Sequence, residues 1–455
     1  MRKLAFCFCL TALCSFTALA QTRGQLSKNF LKSKHIIHTH PNPSAFKVKG
    51  NIPAPHGFPA GVDTITNFTG HFQAQGIYPI SATAGVNRDI WEYSMVGHPP
   101  DQGGTTVINA PVVPVTVDMR NPDGSPAFVT TKAQNCPTCT PAQLGQNIRL
   151  ISRPDPFSSL FMNGPQFQNA DYTSSPVPTQ IMDAEQRAEF GNHARQDWHT
   201  LLSAKLQAGQ TMVLTQTASP APPSYFFALN GDGTCCAFVL VSDPVFTSQL
   251  FPPTTPDLTT VIGAAEVQGE ITTKDISTFL FPNTYLFENN DPNQCCVLGF
   301  HSSDFELGIP SNGNQLRFYI MNYSSWTSPG LFDNPATCAP DNCFEDVTAV
   351  SHELAETFND PFVAFDGIHN VTPFWLNPAG QCQDVMEDGD VIEDLPNPTV
   401  PITINGFTYH PQTVALLPWF EFQGNSSAIH GAYIYPNETA LTVLSAPQPL
   451  NCGGQ

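Results

Sequence analysis

Short runs of β-branched and aromatic residues, punctuated by proline, recur from about residue 61 to 180 and predict strands, with residues 107–117 the clearest. Similar runs return at 211–215, 237–241, 278–286 and 316–323. Two stretches carry a helical period instead. One opens at Asp183, with Gln186 three residues on in the manner of a capping box, and predicts a helix over 183–206 with Gly191 as its weak point. The other spans 341–361 and predicts a helix over 343–359. Asn342 would cap it, and Glu345 and Asp346 would sit in its first turn, where negative charge is favourable. Pro361 would stop it. No repeat of solenoid period interrupts this mixture, and the expected class is α+β.

The first residues change the picture of compartment. Arg2 and Lys3 precede an apolar run, and Ala18-Leu19-Ala20 reads as a cleavage site, so residues 1–20 are expected to be a signal peptide. The protein is therefore expected to be secreted, extracellular or periplasmic. No later segment approaches the roughly 20 apolar residues of a membrane span. Residues 21–60 hold six Lys or Arg, no acid, and His35, His38, His40 and His56, and read as an exposed basic arm or linker. Ten cysteines follow the leader, an even number that argues for disulfides. Cys136-Pro-Thr-Cys139 is best read as bridged, and the adjacent pairs 235–236 and 295–296 are expected to bond outward to separate partners. The length suits two lobes: a β-rich one over 61–210 and an acidic α+β one over 211–455.

Charge is lopsided. Asp and Glu outnumber Lys and Arg by 38 to 18, which argues against a nucleic-acid partner. Arg317 is the last Lys or Arg, and thirteen acids crowd residues 341–394. Exposure to water, bound cations or raised pKa values must relieve their repulsion, with exposure expected for most.

The chemistry lies on the second helix. At about 100° per residue, Val347, Val350, Leu354 and Phe358 make one apolar stripe. His352 and Glu356 share the opposite face one turn apart, with Glu353 about 100° around from His352. Only such i, i+4 spacing puts two helical side chains on one metal ion. The alternative is an ordinary solvated His–Glu pair.

His352-Glu353-Leu354-Ala355-Glu356 resembles the H-E-x-x-H signature of zincin metallopeptidases, with Glu356 at the second ligand position. The resemblance implies a zincin-like C-terminal lobe with an active-site helix, zinc on His352 and Glu356, and Glu353 as catalytic base. A carboxylate at the second position also admits other metals, calcium among them. The wider stretch resembles secreted bacterial proteins with an "HELAEA-x-T-DP" helix, distantly related to the phosphate-induced, exordium-like family. In that pattern a Trp and an "EIGD" turn follow. Here Trp375 and then Gly380-Gln381-Cys382-Gln383-Asp384 follow, with Gln381 where the Glu would stand. The match implies Asp384 as third ligand. Glu387 is the next candidate, then Asp360, with His369, His410 and His430 also downstream.

Two functions of different class follow. One is a secreted zinc metallopeptidase-like hydrolase acting on a peptide or protein, with strand 316–323 offering an edge to the substrate and Tyr323 or His369 supporting the oxyanion. The other is a non-catalytic extracellular or cell-wall-associated binding protein with a residual or structural metal site. His301, beside serines but without a G-x-S-x-G elbow, reads as a hydrogen-bonded strand-end histidine. Asn230-Gly231-Asp232-Gly233 reads as a tight turn, and the tryptophans as core.

Overall fold

A strand buried on both faces reads as a near-continuous apolar run, and the longest such run organises the fold. The computed structural model describes residues 23–34, 62–75, 90–130, 135–172, 177–231, 237–252, 258–307, 316–332, 344–364, 368–378, 380, 382–393 and 395–444. The expected signal peptide, most of the arm and the pair Cys235–Cys236 lie outside them, as do residues 232 and 233 of the expected turn.

The elements run in the order β1 (Asn67–Phe72), β2 (Trp91–Val96), β3 (Thr105–Arg120), α1 (Pro141–Ser152), α2 (Asp155–Met162), α3 (Ile181–Phe190), β4 (His199–Leu206) and β5 (Gln210–Thr215). Next come β6 (Tyr225–Ala228), β7 (Phe238–Ser242), α4 (Asp243–Leu250), α5 (Val261–Val267), β8 (Ile276–Pro282), β9 (Thr284–Phe287) and β10 (Cys295–Val297). The site-bearing part follows: β11 (Gly299–Leu307), β12 (Leu316–Trp326), α6 (Thr348–Asn359), β13 (Val371–Leu376) and β14 (Cys382–Val385). The α+β class stands.

Six strands form a mixed sheet in the order β11-β12-β8-β3-β4, with β5 also on β3. β3 is parallel to β4 along 105–112 and to β5 along 115–120. The break between these ladders has a local cause. Pro111 and Pro114 bring no N–H to β3, and Gly209 (φ +95°) approaches so closely that a Cβ would lie 2.4 Å from the Pro114 carbonyl oxygen. β8 and β12 continue the parallel part, and β11 closes the edge antiparallel to β12. The expected boundary at 210/211 therefore passes through this sheet. A second sheet, β10-β9-β7-β6, carries its own aromatic cluster. No helix among the described residues is long and apolar enough to cross a membrane.

Several expectations change. The helix expected over 183–206 ends at Phe190, because Gly191 turns the chain at φ +49° and His199–Leu206 joins the sheet as β4. Asp183 is not a cap. It sits inside α3, where its carboxylate accepts from the Thr200 backbone N–H at 2.7 Å and the Thr179 hydroxyl at 2.7 Å. The segment expected to be mainly β also holds α1, which starts at a capping box between Thr140 and Gln143. The described part of the arm, residues 23–34, lies against the body, with Ser27, Lys28, Asn29 and Lys32 exposed. The Leu26 N–H donates to the Phe227 carbonyl at 2.7 Å, and Leu31 is fully buried against Ala228, Phe238 and Leu240. Leu26, Phe30 and Leu31 supply apolar area that lysine counting overlooks. Cys136 and Cys139 are bridged. Cys295 and Cys296 bond to each other rather than outward, and Cys382 is also disulfide-bonded.

Candidate metal centre

α6 packs its Val347, Val350, Leu354 and Phe358 stripe into the core against β11 and β12. Its start differs from expectation. Glu345 and Asp346 precede the helix, with Asp346 in the left-handed region at φ +44°. There Asp346 accepts from the His410 backbone N–H at 2.9 Å and contacts its Nδ1 at 2.7 Å. The chain at 410–412 is thereby held against the first turns of α6. The end is as expected, at Asn359 before Pro361.

The polar face of α6 is buried too. Of the acids between 341 and 394, Asp346, Glu353, Glu356, Asp360, Glu387, Asp388, Asp390 and Glu393 are all buried, so exposure does not relieve them. The reason is tertiary. The face meets β11, α3 and the turn after β14 rather than water.

His352 and Glu356 come together as the spacing requires. His352 Nε2 lies 3.0 Å from Glu356 Oε1 and 3.5 Å from Asp390 Oδ1. The ring's other nitrogen, Nδ1, lies 3.0 Å from Gln412 Oε1. Gln412 is oriented by its own contacts, donating from Nε2 to the Gly389 carbonyl at 2.7 Å. Its oxygen therefore faces Nδ1, which must carry the hydrogen. In the neutral ring this leaves a lone pair on Nε2 facing two carboxylates. A proton or a metal ion must lie between them, since lone pairs repel. Glu356 Oε1, although close, has no partner in hydrogen-bonding geometry. Gly389 makes the approach possible, for a Cβ there would lie 2.5 Å from Nδ1.

Beside this trio stands a second histidine. His301 projects from β11, with Nδ1 at 3.3 Å from Glu356 Oε2, 3.7 Å from Glu387 Oε2 and 3.9 Å from Glu353 Oε2. Glu353 sits against Gly299, where a Cβ would lie 2.6 Å from its Oε1. Three ligand trios have donor atoms all within 4.8 Å of one another: His352–Glu356–Asp390, His301–Glu353–Glu356 and His301–Asp360–Glu387. Bonds of about 2 Å put neighbouring ligands of one ion roughly 3–4 Å apart, which the nitrogen–oxygen distances match. These buried groups could hold a metal ion. A separate trio, Glu345–Asp346–His410, lies at the α6 entry.

The electrostatics point the same way. Behind the trios, Asn359 donates to Asp388 Oδ2 at 2.6 Å and to Glu189 Oε2 at 3.1 Å. Neither oxygen of Glu185 has a hydrogen-bond partner. Burial, then Asp388 and Glu189, hold Glu185 well above the carboxylate range. Burial pushes Glu189 up to about 8 against the Asn359 hydrogen bond. Burial would lower both histidines. Glu356 and Glu353 outweigh that at His352 and hold it well above its usual value, while Glu387 and Glu356 push His301 up to about 10. Burial, more than the two histidines can offset, keeps Glu353 high. Burial also opposes ionisation of Glu356, but His352 and His301 hold it below the usual range. Among the described residues, the Lys and Arg ion pairs lie elsewhere, at Asp63, Asp118, Asp155 and Asp197.

The other expected residues divide. Glu387 and Asp360 join the cluster. Asp384, on β14, is half-buried and falls in none of the trios, because its strand pairs with β13 and the chain reaches the site only at the following turn. Asp390 stands there instead. His369 faces Glu92 at 3.8 Å, and His430 pairs with Glu438 at 3.1 Å. Tyr323 cannot serve an oxyanion, since its hydroxyl donates to the Thr284 carbonyl inside the core. Nor is its strand an edge: β12 lies between β11 and β8. His301, Asp390 and Gln412 are the site residues the sequence reading missed. The run Glu387-Asp388-Gly389-Asp390, acids around a small residue, was the available signal for Asp390.

No family model, curated protein or solved structure matches the chain.

Proposed function

We propose that the protein is a secreted, metal-dependent hydrolase acting on peptide bonds, with a zinc ion on His352, Glu356 and Asp390 and with Glu353 as base. The observation that carries this reading is the place of Glu353. Its carboxylate lies beside the His352 trio without belonging to it, and burial raises its proton affinity above that of an ordinary carboxylate. This is the arrangement that the zincin resemblance implies, with Asp390 as third ligand in place of Asp384. A zinc ion there would polarise the scissile carbonyl and acidify the attacking water. Glu353 takes the water's proton and delivers it to the leaving amine. Gln412 holds His352 in the tautomer that presents Nε2, as outer partners of metal-binding histidines do. A peptide substrate is supported by β11, which pairs only with β12 among the described residues and begins at Gly299 against Glu353. Export is supported by the leader-like N-terminus and the bridged cysteines.

One observation favours the binding-protein reading, in which the metal is structural. His352 and Glu353 are only 6% and 5% exposed, whereas a catalytic metal keeps a position open to water and substrate. Glu353→Gln separates the two. The hydrolase reading expects the variant to keep its zinc and lose cleavage of a mixed peptide library by a factor of 100 or more, on the order of a general-base contribution. Zinc-loaded wild-type protein that cleaves nothing in that library leaves the structural-metal reading in its place.

A further inference from the structure

Where β4 gives way to β5, the sheet edge has a notch. β4 leaves β3 at Leu206 and β5 rejoins it from Gln210, because Pro111, Pro114 and Gly209 interrupt the ladder. α1 and α2 wall the gap into a cavity of about 1150 Å³, large enough for a small-molecule site. Its rim is held by the protein's own hydrogen bonds. The Gln207 N–H donates to the Val112 carbonyl at 2.8 Å, the Gly209 N–H to Glu270 Oε1 at 3.1 Å, and Gln210 Nε2 to Glu270 Oε2 at 2.7 Å. The space is therefore formed before anything enters it. None of its lining residues belongs to the metal trios.

The lining has two characters. Ile148, Met162 and Leu206 make an apolar wall, and Arg149 and Arg153 stand beside it. In a chain of net charge −20, two cations at one cavity need an explanation, and they have a single acid between them. Asp155 holds Arg149 at 2.7 Å. The Arg153 guanidinium has no acid or acceptor among the described residues, whereas Arg23, Arg120, Arg187, Arg195 and Arg317 are each engaged. A guanidinium presents paired donors that match a carboxylate. No aromatic side chain lines the cavity among the described residues, so a nucleobase finds no stacking face there. Gly145, in the interior of α1, keeps one wall back. A Cβ there would meet nothing nearer than Thr130 Cγ2 at 3.9 Å, so packing does not call for a residue that a helix interior disfavours.

We propose that this cavity binds an amphipathic carboxylic acid, with its carboxylate on Arg153 and Arg149 and its hydrocarbon body on Ile148, Met162 and Leu206. The site is independent of the metal centre and of the reaction proposed for it.

The test is calorimetric titration of the mature protein with octanoate, with and without EDTA, so that a carboxylate bound to a metal ion is told apart from one in the cavity. Octanoate should bind at one site per chain, roughly millimolar or tighter for a ligand of this size, and equally in both conditions. Arg153→Gln should weaken binding about 10-fold or more, as loss of a hydrogen bond between charged groups does, and Leu206→Ser should weaken it to a smaller extent. Both side chains are exposed, so both variants fold. Octanol, with the same chain and no charge, and inorganic phosphate, with charge and no chain, should each bind about 10-fold more weakly than octanoate or worse. No saturable binding, binding unaltered by Arg153→Gln, or binding lost in EDTA overturns the proposal. Octanol equal to octanoate would make the cavity a purely apolar one, and phosphate equal to octanoate would make it a bare anion site; either result overturns it as well.

Discussion

Gly389→Ala adds one methyl group where the protein leaves room for none. The Cβ would lie 2.5 Å from His352 Nδ1, 2.7 Å from Cε1 and 2.8 Å from Cγ. Ordinary contact begins near 3.4 Å, so the ring must retreat by about 0.9 Å. Gly389 does not sit at positive φ, so the backbone accepts alanine and the contact alone is tested. Metal–ligand distances tolerate about 0.2 Å, a quarter of the required shift. The Nδ1 contact to Gln412 at 3.0 Å breaks in the same movement. Loss of such an outer partner alone costs about 10- to 100-fold in metal affinity, and a displaced ligand adds to it. We expect zinc affinity to fall at least 100-fold, about 2.7 kcal/mol. Overpacking should cost the metal-free protein only about 1–3 kcal/mol, so the variant still folds. Zinc competition against a chromophoric chelator measures the first quantity, and urea denaturation in EDTA the second. A folded variant with wild-type zinc affinity would refute His352 as a ligand.

Three further outcomes are expected. Gly299→Ala drives a methyl to 2.6 Å from Glu353 Oε1; turnover should fall on the order of 100-fold with zinc retained, and unchanged turnover would remove Glu353 from the chemistry. The metal-free protein should be more stable at pH 5 than at pH 8. Glu189 rises from an ordinary 4.5 to about 8, so its contribution is complete below the unfolded value and is lost as pH climbs through the folded one. His301, raised to about 10, acts in the same direction, and Glu356, lowered, changes nothing in that window; equal stability in urea at the two pH values would contradict the burial of Glu189. Leu31→Ala should cost about 2–5 kcal/mol, and a loss under about 0.5 kcal/mol would show that residues 23–34 do not pack on the second sheet.

The α6 stripe, the stop at Pro361 and the runs that became β3, β5, β7, β8, β9 and β12 were legible because each rests on local periodicity. So was the shared direction of His352 and Glu356. What lay on the far side of the helix was not, since a polar face reads alike whether water or β11 covers it. Asp384 was carried by a linear pattern, but β14 pairs with β13 and the chain turns before it reaches the buried cluster. Asp390 follows a glycine whose purpose, room for His352, emerges only in three dimensions. His301 illustrates the same limit, because one histidine in a strand carries no spacing to interpret. The 183–206 helix failed for a local reason: Gly191 was recognised as weak but is a true terminus, and the segment after it pairs with β3.

The centre is assembled from distant parts of the chain. Glu189 on α3, His301 on β11, His352 on α6, Asp390 and Gln412 meet only after β3 has paired with both β4 and β8. Both histidines and their nearest acids lie within residues 301–390, but Glu189 and Gln412, which back them, come from outside that span. Loop closures this long are slow, and capture of an ion at the complete centre would be one of the last events on the pathway. During refolding, zinc uptake should therefore lag behind the burial of the tryptophans. A bound ion would then be a seal on a finished fold, and a nascent chain meeting it early would offer only scattered single ligands.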